Sequence, residues 1–141
     1  PAPAPLLALS HEDAGAAAAL DRLMREDRIY REEALTIGAL ALKLKLPEHR
    51  LRQLINQRLG YRSFSAFLNE ARLAEAKAAL ADPAQDAVPI STIALDAGFG
   101  SLGPFNRAFK AETGLTPSAF RAQRLGQPPA TGTSQLPKPA S

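Results

Sequence analysis

Two segments of the chain repeat one another: residues 37–60 (IGALALKLKLPEHRLRQLINQRLG) and residues 90–114 (ISTIALDAGFGSLGPFNRAFKAETG). Ile37, Leu40, Ala41 and Leu44 match Ile90, Ile93, Ala94 and Ala97, each 53 positions on. After one extra residue in the second turn, Leu51, Leu54, Ile55 and Gly60 match Phe105, Ala108, Phe109 and Gly114, 54 positions on. The apolar residues recur at helical spacing on both sides of a short break, so each segment reads as two helices across a tight turn. A short helix packed against a second, charge-bearing one is the usual way to lay a helix in the major groove of DNA, and two such units in one polypeptide suit a monomer that reads two successive segments of groove.

The size of the chain limits what can surround this repeat. At 141 residues it holds one domain, or two small subdomains sharing a helix, and no separate sensor. It opens on Pro1, and PAPAP looks like the end of a linker, so the sequence reads as a piece of a longer protein whose upstream part lies elsewhere. There is no cysteine, hence no disulfide framework, zinc ribbon or thiol nucleophile, which is compatible with a reducing, cytoplasmic setting. His11 and His49 lie in different regions without metal-ligand spacing, and neither a metal nor a cofactor is expected. No apolar run approaches the ~18 residues of a membrane span, and no signal-peptide pattern appears.

A net charge of +3 points only weakly to nucleic acid, but its distribution is informative. Within 42–62 stand Lys43, Lys45, Arg50, Arg52, Arg58 and Arg62 against the single acid Glu48; within 104–124 stand Arg107, Lys110, Arg121 and Arg124 against Glu112. Asp21, Glu26, Asp27, Glu32 and Glu33 gather ahead of both. Positive charge thus sits on the repeated units, where phosphate contacts would be made.

The coarse organisation comes from punctuation. Pro-rich tails over 1–16 and 128–141 read as flexible linker and disordered tail around a domain at 17–127. Leu20, Leu23, Met24, Asp27 and Arg31 step along one first helix. Thr36 caps the next helix, Pro47 starts another and Gly60 closes it with a left-handed residue, giving a first helix-turn-helix at 36–60. Ser63 caps a linking helix over 63–81, stopped by Asp82-Pro83. A second helix-turn-helix occupies 89–114, and Thr116-Pro117 opens a final helix over 116–124. No stretch alternates like a strand, so the expected fold is all-α.

The second unit, together with the residues up to Arg121, resembles the DNA-binding domain of the AraC/XylS family of bacterial transcription regulators. The resemblance is carried by Ile90, Ile93, Ala94, Gly98, Phe99, Phe105, Arg107, Phe109, Lys110, Gly114, Thr116, Pro117, Phe120 and Arg121, and more loosely by Leu40, Ala41, Leu51, Leu54, Gly60, Phe67, Leu68, Arg72, Ala76 and Leu80. It implies seven helices in two subdomains joined by a long central helix, with the third and sixth as recognition helices on double-stranded DNA, about 34 Å apart if one turn separates the sites. It also implies an activator that contacts RNA polymerase and a separate effector-binding or dimerisation domain upstream. The base-facing positions fall on His49, Arg50, Arg52, Gln53 and Asn56, and on Gly103, Pro104, Asn106 and Arg107; Lys43, Arg62, Lys110 and Arg121 are the phosphate candidates. Two departures from the family pattern stand out. Gly103-Pro104 offers no side-chain hydrogen bond, which shifts the second unit from specificity toward positioning. Lys45 occupies the turn position that Gly98 holds in the second unit, at a cost of roughly 1 kcal/mol if that residue is left-handed, unless the first turn has another shape.

Simpler roles compete for several of these residues. Phe99, Phe105 and Phe109 occupy the inward face of the repeat and belong to the core. Arg72 suits a salt bridge with Asp96, Glu70 or Glu75 better than DNA. Glu26-Asp27 and Glu32-Glu33 point apart on a helix, which argues against paired-carboxylate catalysis, and no triad or phosphate loop is present. The alternative to DNA binding is a helical module that docks a protein partner.

Overall fold

The computed structural model describes residues 11–126, which form seven α-helices and no strand: α1 His11–Arg25, α2 Ile37–Leu44, α3 Glu48–Gln53, α4 Phe64–Leu80, α5 Ile90–Ala97, α6 Leu102–Thr113 and α7 Pro117–Leu125. The architecture is the expected all-α one. The Pro-rich start and the expected tail at 128–141 lie outside the described residues.

The caps read from sequence close their helices. Thr36 Oγ1 accepts from the Ala39 N–H at 3.0 Å, Ser63 Oγ from Ala66 at 3.0 Å and Thr116 Oγ1 from Ala119 at 3.1 Å, each occupying a donor that the first helical turn leaves without a partner. Asp82 Oδ1 accepts from Ala84, 3.0 Å away, and nucleates a 3₁₀ turn over Pro83–Gln85.

The first helix differs from its expectation at both ends. It begins at His11 rather than after residue 16, because Ala14 and Ala16 to Ala19 are strong helix formers that continue the register of Leu20 backwards. It ends at Arg25, although the periodicity continues through Asp27 to Arg31. Arg28 takes a left-handed conformation (φ 51°), and Ile29–Arg31 is a 3₁₀ turn that buries Ile29 and Tyr30. Burying those two side chains outweighs a break made without glycine or proline.

The chain divides into two compact units between Ala71 and Arg72. In the first, Leu20, Leu40, Leu51, Leu54 and Ile55 are at most 2% exposed and pack with Ile29, Leu35, Phe67 and Leu68. In the second, Phe99, Phe105, Phe109 and Phe120 form a chain of rings with centroids 5.1, 5.5 and 5.2 Å apart, around which Leu73, Ala76, Leu80, Ile93, Ala94 and Ala97 close. Each such ring pair adds about 0.5–1.5 kcal/mol beyond area burial. The three repeat phenylalanines are therefore core, as expected. α4 gives Phe67 and Leu68 to one core and Leu73, Ala76 and Leu80 to the other. Arg72, on the same helix, is only 8% exposed, with its guanidinium carbon 6.0 Å from the Phe99 ring centre, so its role is structural.

Candidate nucleic-acid interface

The repeat is reproduced at the level of hydrogen bonds. In unit one the Lys45 and Leu46 N–H groups donate to Leu42 O and Ala41 O at 3.2 and 3.0 Å; in unit two Gly98 and Phe99 donate to Leu95 O and Ala94 O at 3.0 and 3.1 Å. This is the same helix-ending motif in both, and it requires a left-handed residue. Gly98 has φ 114°, and Lys45 has φ 58° and ψ 43°. The first turn thus has the shape of the second and holds a lysine where glycine is strain-free. The extra residue of the second unit lengthens the connection to the N-cap Ser101, whereas Pro47 serves in the first.

Beyond the turn, each second helix buries one face and leaves the other to solvent. On α3, Leu51 points inward and the helix continues into a π-type turn, Leu54–Arg58, which places Leu54 and Ile55 inside. The Tyr61 N–H closes it on Ile55 O at 3.0 Å, with Gly60 left-handed at φ 84° as expected. His49, Arg52, Gln53 and Asn56 form an exposed row on the opposite face. On α6, Phe105 and Phe109 are inside, while Gly103, Pro104, Asn106, Arg107 and Lys110 are exposed. Pro104 is the third residue of this helix; the N–H it lacks belongs to the first turn, where no intrahelical acceptor exists, so the helix is intact.

The cations of the two helices differ in their surroundings. Arg50 Nη2 donates to Asp13 Oδ1 of α1 at 3.0 Å, and Arg58 Nε lies 3.8 Å from Asp13 Oδ2, so one carboxylate spans both arginines. Instead of facing bases, as the family pattern implies, Arg50 is half-buried and engaged by an acid outside the repeat. Arg52 Nη2 donates to Glu48 Oε2 at 2.7 Å, one turn back on the exposed side of α3. Gly38 leaves room for that glutamate, since a Cβ there would stand 3.3 Å from Glu48 Oε1. In contrast, no carboxylate among the described residues pairs with Arg107 or Lys110. Together with Asn106 they line an open groove of about 650 Å³, walled by Ile90 and by Thr116, Pro117 and Ser118 at the start of α7.

Of the phosphate candidates, Lys43, Arg62 and Lys110 are exposed. Arg121 is engaged elsewhere. Its Nη2 donates to Gln85 O at 3.2 Å and Val88 O at 2.7 Å, and its Nε is buried without a protein partner. It ties down the loop before α5, adding a charged donor at Gln85 O, which also accepts from the Val88 N–H at 3.0 Å, and the match to the family pattern at this position reflects that structural task. Glu48 and Asp13 are the residues that sequence reasoning did not place at the interface. The four-residue step from Glu48 to Arg52 is a readable signal; nothing in the sequence links Asp13 to Arg50.

Among the described residues no helix is long and apolar enough to cross a membrane, and no cluster of His, Asp or Glu has the arrangement of a metal site. A family model described as a helix-turn-helix domain matches residues 40–123. No curated protein matches the sequence. Among solved structures, a Chromobacterium violaceum transcriptional regulator described as AraC-type DNA-binding domain-containing is 27% identical, covering 77% of this chain and 96% of that one with a TM-score of 0.61. The C-terminal domain of AraT, a response regulator from Geobacillus stearothermophilus, is 22% identical over 95% of this chain and 93% of that one, with a TM-score of 0.64. The C-terminal domain of the two-component response regulator yesN from Fusobacterium nucleatum is 23% identical over 76% of this chain and 98% of that one, with a TM-score of 0.65. The last two likenesses speak for the fold alone.

Proposed function

Because the chain belongs to the AraC-type helix-turn-helix family of DNA-binding transcription regulators, we propose that α3 and α6 are its recognition helices, that they enter successive major-groove segments, and that they divide the work unequally. The observation that carries this reading is the exposed row His49, Arg52 and Gln53 on α3 and Asn56 in the π-type turn that continues it, set behind a turn whose hydrogen bonds are repeated before α6. Arginine presents a bidentate fork to guanine, and glutamine or asparagine does so to adenine. α6 offers Asn106 and Arg107 behind Gly103-Pro104, which can make no side-chain hydrogen bond, and its Arg107 and Lys110 stand clear of acids among the described residues, as suits contacts to phosphate. Unit one therefore reads sequence, and unit two anchors the chain and adds a narrower preference through Arg107.

The test is a paired substitution. Arg52→Ala is expected to cost about 1–3 kcal/mol on the cognate site and to relax preference at one base pair. Arg107→Ala is expected to weaken cognate and random DNA more evenly and to flatten the salt dependence by about one phosphate contact. Equal losses on cognate and random duplex for both variants would overturn the division.

A second reading, a contact with a protein such as RNA polymerase, is favoured by one feature. Leu42 and Leu95 hold the same repeat position on α2 and α5 and are 79% and 53% exposed. Leu42→Ser and Leu95→Ser should leave DNA affinity unchanged and reduce promoter activation in a reconstituted transcription assay; unchanged transcription would dismiss that role.

A further inference from the structure

The pairing of Asp13 with Arg50 and Arg58 joins α1 to the second helix of the first repeat and involves a residue that lies ahead of the matched residues 40–123. The Asp13 side chain is 18% exposed and those of Arg50 and Arg58 are 34% and 32% exposed, so this is a sheltered cluster and not a loose surface pair. A carboxylate that offers one oxygen to each of two arginines presents the same chemistry as a non-bridging pair of phosphate oxygens. It is supplied from a residue 37 positions before Arg50, on a different helix of the same unit. Two of the cations flanking the base-reading row of α3 are thereby neutralised in the free protein. Among the described residues, the cations Arg107 and Lys110 of α6 carry no such partner.

We propose that Asp13 is a specificity-determining residue that acts as an internal phosphate mimic: it holds Arg50 and Arg58 away from the DNA backbone and so suppresses sequence-independent binding through the first unit. The inference rests on the DNA-binding reading above. Nonspecific affinity is set by the number of phosphates neutralised, and each one contributes a slope of about −0.9 in log K against log salt. An arginine already engaged by a carboxylate releases no DNA counterion unless it first leaves that carboxylate. Discrimination in unit one then rests on Gln53, Asn56 and Arg52, whose own pairing with Glu48 is open to solvent (side chains 54% and 51% exposed) where the Asp13 cluster is sheltered, rather than on a general attraction.

The experiment is a salt titration of the full 141-residue chain on a random-sequence duplex, with wild type, Asp13→Asn and Asp21→Asn compared. Asp21 is an acid of the same helix that pairs at 3.1 Å with Arg25 on an open surface, so it controls for net charge. Asp13→Asn should steepen the slope by about 1–2 and tighten binding about fivefold for each additional phosphate neutralised at 0.15 M salt, while Asp21→Asn changes affinity less than about twofold. In an Arg50→Gln/Arg58→Gln background the tightening should vanish. A folded Asp13→Asn with unchanged or shallower slope overturns the inference and leaves the DNA-binding reading standing; absence of salt-dependent binding by wild type overturns both. Should Asp13→Asn fail to fold, Arg58→Gln decides: an unchanged wild-type slope supports the mimic, and a slope lower by about 1 overturns it.

Discussion

Lys45 is the place where the repeat departs from glycine and the backbone does not follow, and it yields a quantitative expectation. At φ 58° and ψ 43° the lysine Cβ crowds the following carbonyl, which costs roughly 1–2 kcal/mol for an L-residue. Replacing it with glycine removes that strain but adds about 0.4–1 kcal/mol of unfolded-chain entropy. Loss of an exposed cation near the C-terminus of α2 takes back a further ~0.3 kcal/mol. Since the side chain is exposed, no apolar burial changes. The net expectation for Lys45→Gly is stabilisation by about 0.5 kcal/mol, worth about 2–4 °C in melting temperature. The mirror substitution, Gly98→Ala, puts a Cβ at φ 114° and should destabilise by about 1 kcal/mol or more. Urea denaturation followed by circular dichroism, with constant m-values as the check on two-state behaviour, measures both. If Lys45→Gly destabilises while Gly98→Ala is neutral, the two turns do not share the motif described above.

Arg121→Met should lower the stability of the second unit by about 1–3 kcal/mol, because the Gln85 and Val88 carbonyls lose a charged donor, and should leave the salt slope of DNA binding unchanged; a shallower slope at full stability would restore Arg121 to the phosphate contacts. Tyr61 hydrogen-bonds the Glu70 carboxylate, and this bond, then partial burial and the adjacent negative charge, push its pKa up to about 12 from 10.0. Its folded form retains the proton that the unfolded chain releases, so the associated stability is present below pH 10 and is lost as pH rises from 10 to about 12. Denaturation midpoints across that window should fall faster for wild type than for Tyr61→Phe, and parallel profiles would refute the bond.

Much of the fold was legible because the signals were local. Thr36, Ser63 and Thr116 cap the turns that come after them, and the 53- and 54-residue offsets of the repeat predicted which leucines and phenylalanines are buried. The start of α1 was hidden because an alanine run next to proline reads as linker composition until a core residue, Leu20, and an ion pair from Asp13 anchor it. The break at Arg28 carries no glycine or proline and is set by burial of Ile29 and Tyr30. At the interface, the reading row of α3 followed from helical spacing, because the apolar face fixes its opposite. The fates of Arg50 and Arg121 did not follow, because each is decided by a partner more than thirty residues away, an acid on α1 in one case and two loop carbonyls in the other.

Selection from a random duplex library at near-physiological salt reads out whether one chain reads two groove segments with unequal information. The expected result is an enriched motif of two blocks about one helical turn apart, with the block assigned to α3 by Arg52→Ala carrying more information than the block assigned to α6 by Arg107→Ala. A single block, two blocks of equal information, or binding without enrichment would contradict it.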